Sequence, residues 1–336
     1  MIARKKTGCP TPGSSEVASS LVSAALETHI LRTADDQPSI PAGRPVRAIL
    51  PEGEAILQPP LDNTPNDPSE PPPTRVPHLG HAILFLTITG AFLLLTQLIA
   101  LGLSRHAANQ STSISPRLLL FAEAFTYLAT LALSWLLFPL FWQRPFAAGL
   151  QLNAPAATRN ALKLIPLGFV LSFTVQAVSS IVSMPKTIPM DDFFRTPSDV
   201  WLITVFGTFL APLFEEILFR GFLFPAFAIA YDWLSLPRSE IAREQWSSSN
   251  KLTLVSYIFS AILSSICFAA LHGKQVAFTW PVLILLFIVS LILTTIRFRL
   301  RSVLASTLVH ASYNFAVFLT AFIATGGYRH LERMTR

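Results

Sequence analysis

The chain has 336 residues, of which 51% are hydrophobic and only 13% charged, with a formal net charge of +6. A soluble domain has a charged share of about 25%, so this composition excludes a freely soluble enzyme and describes a membrane protein. The basic excess lies in connectors between apolar runs, where it fits orientation in a bilayer and not nucleic-acid binding.

Residues 1–78 contain 14 of the 26 prolines, no long apolar run and weak periodicity. Such a stretch cannot bury enough surface to offset chain entropy, so it reads as a Pro-rich disordered leader. Arg4-Lys5-Lys6 is followed by Thr-Gly-Cys-Pro-Thr-Pro-Gly instead of an apolar core. That is not a cleavable secretory signal, so the first apolar span is expected to anchor the protein uncleaved. Cys9 in this leader and Cys267 in an apolar segment are too few and too differently placed for a disulfide framework or a thiolate metal cluster.

From about Ala82 the chain alternates apolar runs of bilayer-crossing length with short polar connectors. Helices are predicted near 82–103, 118–141, 160–183, 200–231, 253–272, 276–296 and 302–325. The fold class is all-α, a polytopic membrane bundle of seven or eight transmembrane helices. The uncertain count comes from the fourth run: at 32 residues it is too long for one perpendicular span, and it is read as tilted, broken near Pro212 or Gly221, or double. With the leader inside, connectors 142–163, 232–252 and 297–301 hold 9 Lys/Arg against 5 in those on the other side, although Arg329, Arg333 and Arg336 in the tail oppose that orientation.

The fourth run carries the main anomaly, Ala211-Pro-Leu-Phe-Glu215-Glu216-Ile-Leu-Phe-Arg220-Gly221. Ionisable groups inside an apolar span face protein or a wet cavity and mark a functional site. Glu216 and Arg220, four apart, suit an ion pair on one helix face, and Glu215 lies about 100° round from Glu216, so the two carboxylates cannot share Arg220 equally. One of the two is left as the general base. His272 closes the run Phe268-Ala-Ala-Leu-His272, and His310 and Asn314 share a later helix face. A carboxylate, an imidazole and donors for an oxyanion are the parts needed to add water to a peptide carbonyl. Each polar residue also has an ordinary structural reading, as ion pair or interhelical hydrogen bond. Glu123, in the second span, is read only in that second way.

Taken together and in this order, Glu215-Glu216-x-x-x-Arg220, Phe268-x-x-x-His272 and His310-x-x-x-Asn314 resemble the CAAX prenyl protease 2 and bacteriocin-processing (CPBP) family of intramembrane proteases, also called lysostaphin resistance protein A-like. The flanking Ala211-Pro212 and Gly221 match the setting of the first motif. The resemblance spans roughly 190–320 and divides the chain into the leader at 1–78, N-terminal transmembrane helices at 79–189, a catalytic region at 190–325 and a basic tail at 326–336. It implies an integral membrane endopeptidase, expected in the plasma (inner) membrane of a prokaryote, acting on a membrane-associated protein or peptide. Glu215 would activate water with help from His272, His310 and Asn314 would stabilise the oxyanion, and Glu216 and Arg220 would support them. In the family's metalloprotease reading, a divalent metal such as zinc would be held by Glu215, His272 and His310. The absence of His-Glu-x-x-His leaves metal-bound and metal-free readings open.

Two other classes compete, a non-catalytic scaffold or bacteriocin-immunity protein of the same fold and an ion-coupled transporter, although paired broken helices are not evident. One count conflicts with a shared site. At about 1.5 Å per residue, Glu215 and His310 fall in one half of the bilayer, while His272, about 28 Å along its span, falls near the far face. The long fourth run is the suspected source.

Overall fold

Each apolar run becomes a helix because, in lipid, only intrahelical bonds can satisfy the backbone. The computed structural model describes residues 75–107, 114–181, 193–249 and 251–334, so the expected disorder of the leader lies outside the described residues up to position 74. Among the described residues, seven helices are long and apolar enough to cross a membrane. They are α1 (Leu79–Ala107), α2 (Pro116–Trp142), α3 (Ala161–Ser179), α4 (Pro197–Leu234), α5 (Leu254–Leu271), α6 (Trp280–Leu300) and α7 (Val303–Ala324). Of the seven or eight spans expected, the described residues hold seven, and the protein is an integral membrane protein.

The helix starts follow local chemistry. The side chains of Ser115, Thr196, Thr253 and Ser302 accept from the backbone N–H groups of Leu118, Asp199, Ser256 and Ala305, which caps α2, α4, α5 and α7. Pro116 and Pro197 follow two of those caps, where their fixed φ and missing N–H do no harm.

The fourth run is one helix of 38 residues, neither broken nor double. Pro212 does not interrupt it, because the helix widens into π turns at Phe206–Leu210 and Ile217–Leu223. The Ala211 N–H bonds the Phe206 carbonyl and the Phe224 N–H bonds the Phe219 carbonyl, each five residues back. Pro212 follows Ala211 and Pro225 follows Phe224. A proline ring collides with the carbonyl four residues earlier, and an extra residue in the preceding turn moves that carbonyl aside while keeping the backbone bonded. The short α segment between the π turns, Ala211–Glu216, carries the two glutamates.

α4 is the axis of the bundle. Over its most apolar window 56% of it is buried, against 17% to 33% for the other six. Phe214, Ile217, Leu218, Phe219, Phe222 and Leu223 pack with Phe85 of α1, Phe138 and Trp142 of α2, Phe268 of α5 and Val303 of α7. The outward faces keep Leu136, Leu140, Leu162 and Leu271 exposed, as suits helices bathed in acyl chains. α3 and α7 approach closely at Gly168, where an added Cβ would lie 2.6 Å from the Val309 carbonyl and from Ser312 Cβ. That contact sets α7 one residue from His310. Beyond α7 the tail turns back, and the Tyr328 hydroxyl bonds Thr204 Oγ1 at 2.9 Å and the Phe318 carbonyl at 3.1 Å.

Candidate active site

Three helices bring their polar side chains to the middle of α4. Glu216 and Arg220 are fully buried, with Nη1 on Glu216 Oε1 at 2.8 Å. Arg220 Nη2 donates to the carbonyl and hydroxyl of Ser290 at 2.9 and 2.8 Å, and Nε reaches Thr294 Oγ1 at 3.4 Å. The guanidinium thus ties α4 to α6 through groups on three of its edges, and it lies 4.9 Å from the Phe268 ring centroid. Glu216 Oε1 also accepts from His310 Nδ1 at 3.0 Å, so one carboxylate holds both an arginine and a histidine.

Glu215 points elsewhere. Its Oε2 lies 3.8 Å from His272 Nε2 and 3.8 Å from His310 Nε2, is itself buried, and has no hydrogen-bond partner among the described residues. His272 caps α5 and gives its Nδ1 proton to the Phe268 carbonyl at 2.8 Å. A carbonyl only accepts, and the Glu216 carboxylate bound to Arg220 also accepts, so Nδ1 is the protonated nitrogen in both rings. Both Nε2 atoms then face Glu215. The buried Phe268 ring spaces the two histidines, lying 4.5 Å from one ring centroid and 5.9 Å from the other.

His272 is therefore not at the far face. α4 and α5 are antiparallel neighbours joined through 235–253, so depth is counted from their shared end. Glu215 stands 19 residues before Leu234 and His272 18 residues after Leu254, about 28 and 27 Å on the helical rise. The conflict arose from measuring Glu215 from the other end of a helix longer than the bilayer is thick.

Asn314 lies one turn beyond His310 and faces α4 as expected, where its Nδ2 donates to the Gly207 carbonyl at 2.7 Å, within the first π turn. Glu123 departs from its expected role. Its bond is not interhelical but within α2, accepting from the Tyr127 hydroxyl at 2.8 Å. Tyr127 stacks on Phe214 at 3.9 Å and 4°, and Glu123 lies within electrostatic reach of Glu215. Ser290, Thr294 and Tyr127 are site neighbours that motif reading missed. Ser290 and Thr294, polar and four apart in an apolar helix, are the detectable signal; Tyr127 had none.

A metal fits this donor set poorly. Among the described residues no three His, Cys, Asp or Glu side chains are arranged to hold one. Donors about 2.0 to 2.1 Å from a tetrahedral zinc stand about 3.3 Å apart, closer than the 3.8 Å from Glu215 to each imidazole.

The family model described as Type II CAAX prenyl endopeptidase Rce1-like matches residues 197–316. No curated protein and no solved structure matches the chain. The matched stretch runs from the first turn of α4 into α7 and encloses Glu215, Glu216, Arg220, His272, His310 and Asn314. Residues 197–316 are an Rce1-like domain of the CPBP family, a family of CAAX-type intramembrane proteases.

Proposed function

We propose that this protein is an intramembrane endopeptidase in which Glu215 activates the water that attacks a peptide carbonyl, as in CAAX-box-type processing or peptide maturation. The observation that carries the reading is the Glu215 oxygen 3.8 Å from two Nε2 atoms and without a hydrogen-bond partner among the described residues. Separations just beyond hydrogen-bonding range suit a bridging water. A water about 2.8 Å from Glu215 and His272 would meet them at about 86°, so each of its protons would bend by roughly 10° to reach its acceptor, within hydrogen-bonding range.

In this reading Glu215 takes a proton as the water oxygen bonds the carbonyl carbon, and the carbonyl oxygen becomes an oxyanion. His310, with a second proton on Nε2, and the second N–H of the Asn314 amide, whose first is held by Gly207, serve as its donors. The proton then passes from Glu215 to the leaving nitrogen, the C–N bond breaks, and a carboxylic acid and an amine result, the acid then giving its proton to the amine. Glu216, held by Arg220, orients His310 through Nδ1. Two carboxylates and one guanidinium leave the cluster one positive charge short of neutrality, and a single mobile proton shared among Glu215, His272 and His310 closes that gap.

The substrate would be a membrane-associated protein or peptide. Peptide termini compared by mass spectrometry between membranes holding the wild type and Glu215→Gln, at equal protein levels, test the reading. Loss of specific new termini is expected in the variant, and also in His272→Ala. Full cleavage by either would sink it, and loss of stability without loss of any cleavage product would favour the scaffold class instead.

A further inference from the structure

A second buried arginine is unlike Arg220. Arg297, on the last turn of α6, is 6% exposed, yet among the described residues no carboxylate pairs with it. Among the described residues its only side-chain bond is Nη1 to the neutral Gln151 Oε1 at 2.9 Å, and its buried Nε has no partner. It lies within electrostatic reach of the Tyr257 hydroxyl and of another cation, Arg301. Arg220, equally buried, has a carboxylate and three neutral acceptors. A buried cation held against a second cation is stable only with an anion at hand.

The surroundings offer the place for one. Gln151 and Arg301 line a cavity of about 350 Å³, together with Asn153 and Ala147. Its wall is rigid, since the Val303 N–H bonds the Gln151 carbonyl at 3.1 Å and the Ser302 hydroxyl bonds the Asn153 carbonyl at 2.8 Å. Arg301 adopts the left-handed conformation, with φ 45°, at the turn between α6 and α7. Segments 142–163 and 297–301 together contain six Lys/Arg and no Asp or Glu, so the two connectors that form the cavity supply no acid of their own.

We propose that this cavity binds the phosphate group of an anionic phospholipid headgroup, held by Arg301 and by Arg297 through Gln151. It opens where α6 ends, at the level of the bilayer surface, and a basic notch between helices at that depth suits a lipid phosphate. The site lies apart from the Glu215 cluster and does not depend on its chemistry.

The test uses the full chain in nanodiscs of phosphatidylcholine with or without 20% phosphatidylglycerol, with retained lipid counted by native mass spectrometry and thermal stability read in parallel. Arg301→Asn removes the charge with a residue that tolerates a positive φ. Arg299→Gln removes the same charge at an exposed position outside the cavity wall. The wild type and Arg299→Gln are expected to retain phosphatidylglycerol, and Arg301→Asn to lose at least about fivefold in its affinity, the factor one surface cation supplies. Equal loss in both variants, or equal retention of both lipids by the wild type, overturns the proposal. Stabilisation by millimolar inorganic phosphate without preference for phosphatidylglycerol would assign the site to a soluble phosphate and overturn the lipid assignment.

Discussion

Arg220→Met tests how the site is held together. The side chain leaves a place where it is fully buried and bonded to Glu216, Ser290 and Thr294, and Glu216 is left with the His310 Nδ1 proton and the neighbouring Ser306 hydroxyl, neither of which replaces the lost charge of the guanidinium. Removing one partner of a buried ion pair costs about 3 to 5 kcal/mol, because the other charge stays behind without solvent. At about 2 °C per kcal/mol for a chain of this size, the apparent unfolding midpoint should fall by roughly 6 to 10 °C. Adding Glu216→Gln removes the stranded charge, and the double variant should recover about half of that loss or more. The assay is thermal unfolding of the detergent-purified protein followed by intrinsic fluorescence. If the double variant is no more stable than Arg220→Met, the reasoning fails: Arg220 would then act through its bonds to α6 and not by neutralising Glu216. Cleavage should remain lost in the double variant even with stability regained, because His310 no longer has a carboxylate at Nδ1.

Gly168→Ala should destabilise by about 1 to 3 kcal/mol and lower cleavage, since its Cβ meets the Val309 carbonyl beside His310, whereas Gly90→Ala, with nothing within 4 Å, should be neutral or slightly stabilising in the same unfolding assay. Phe268→Ala removes the buried ring between the two histidines and should cost about 3 to 5 kcal/mol, with cleavage reduced even at temperatures where the variant remains folded. Because the Glu215 and imidazole donors stand wider apart than a tetrahedral zinc requires, saturating chelator should leave cleavage rates unchanged. Loss of cleavage on chelation, restored by added zinc, would show that those side chains close around a metal.

Much of this architecture is written in composition and period. Seven apolar runs, Ser or Thr caps and Ser-Pro or Thr-Pro starts are properties of short stretches, and each run is a helix within a few residues of its expected ends. The Glu216–Arg220 pair and the shared face of His310 and Asn314 follow from helical spacing alone and are present. The path of α4 past Pro212 was not legible, because a π turn shifts register by a residue that no pattern of hydrophobicity records. The depth of His272 depended on which helix end α4 and α5 share, and the role of Glu123 on which way α2 turns. The division of labour between the glutamates was foreshadowed by the 100° step along the helix. Only the packing of α5, α6 and α7 around α4 decides that Glu216 meets Arg220 and His310 while Glu215 meets two free imidazole nitrogens. Bonds along one helix are set by neighbours in the chain; contacts between helices are set by close approaches such as that of Gly168 in α3 to α7, which couple residues far apart in sequence.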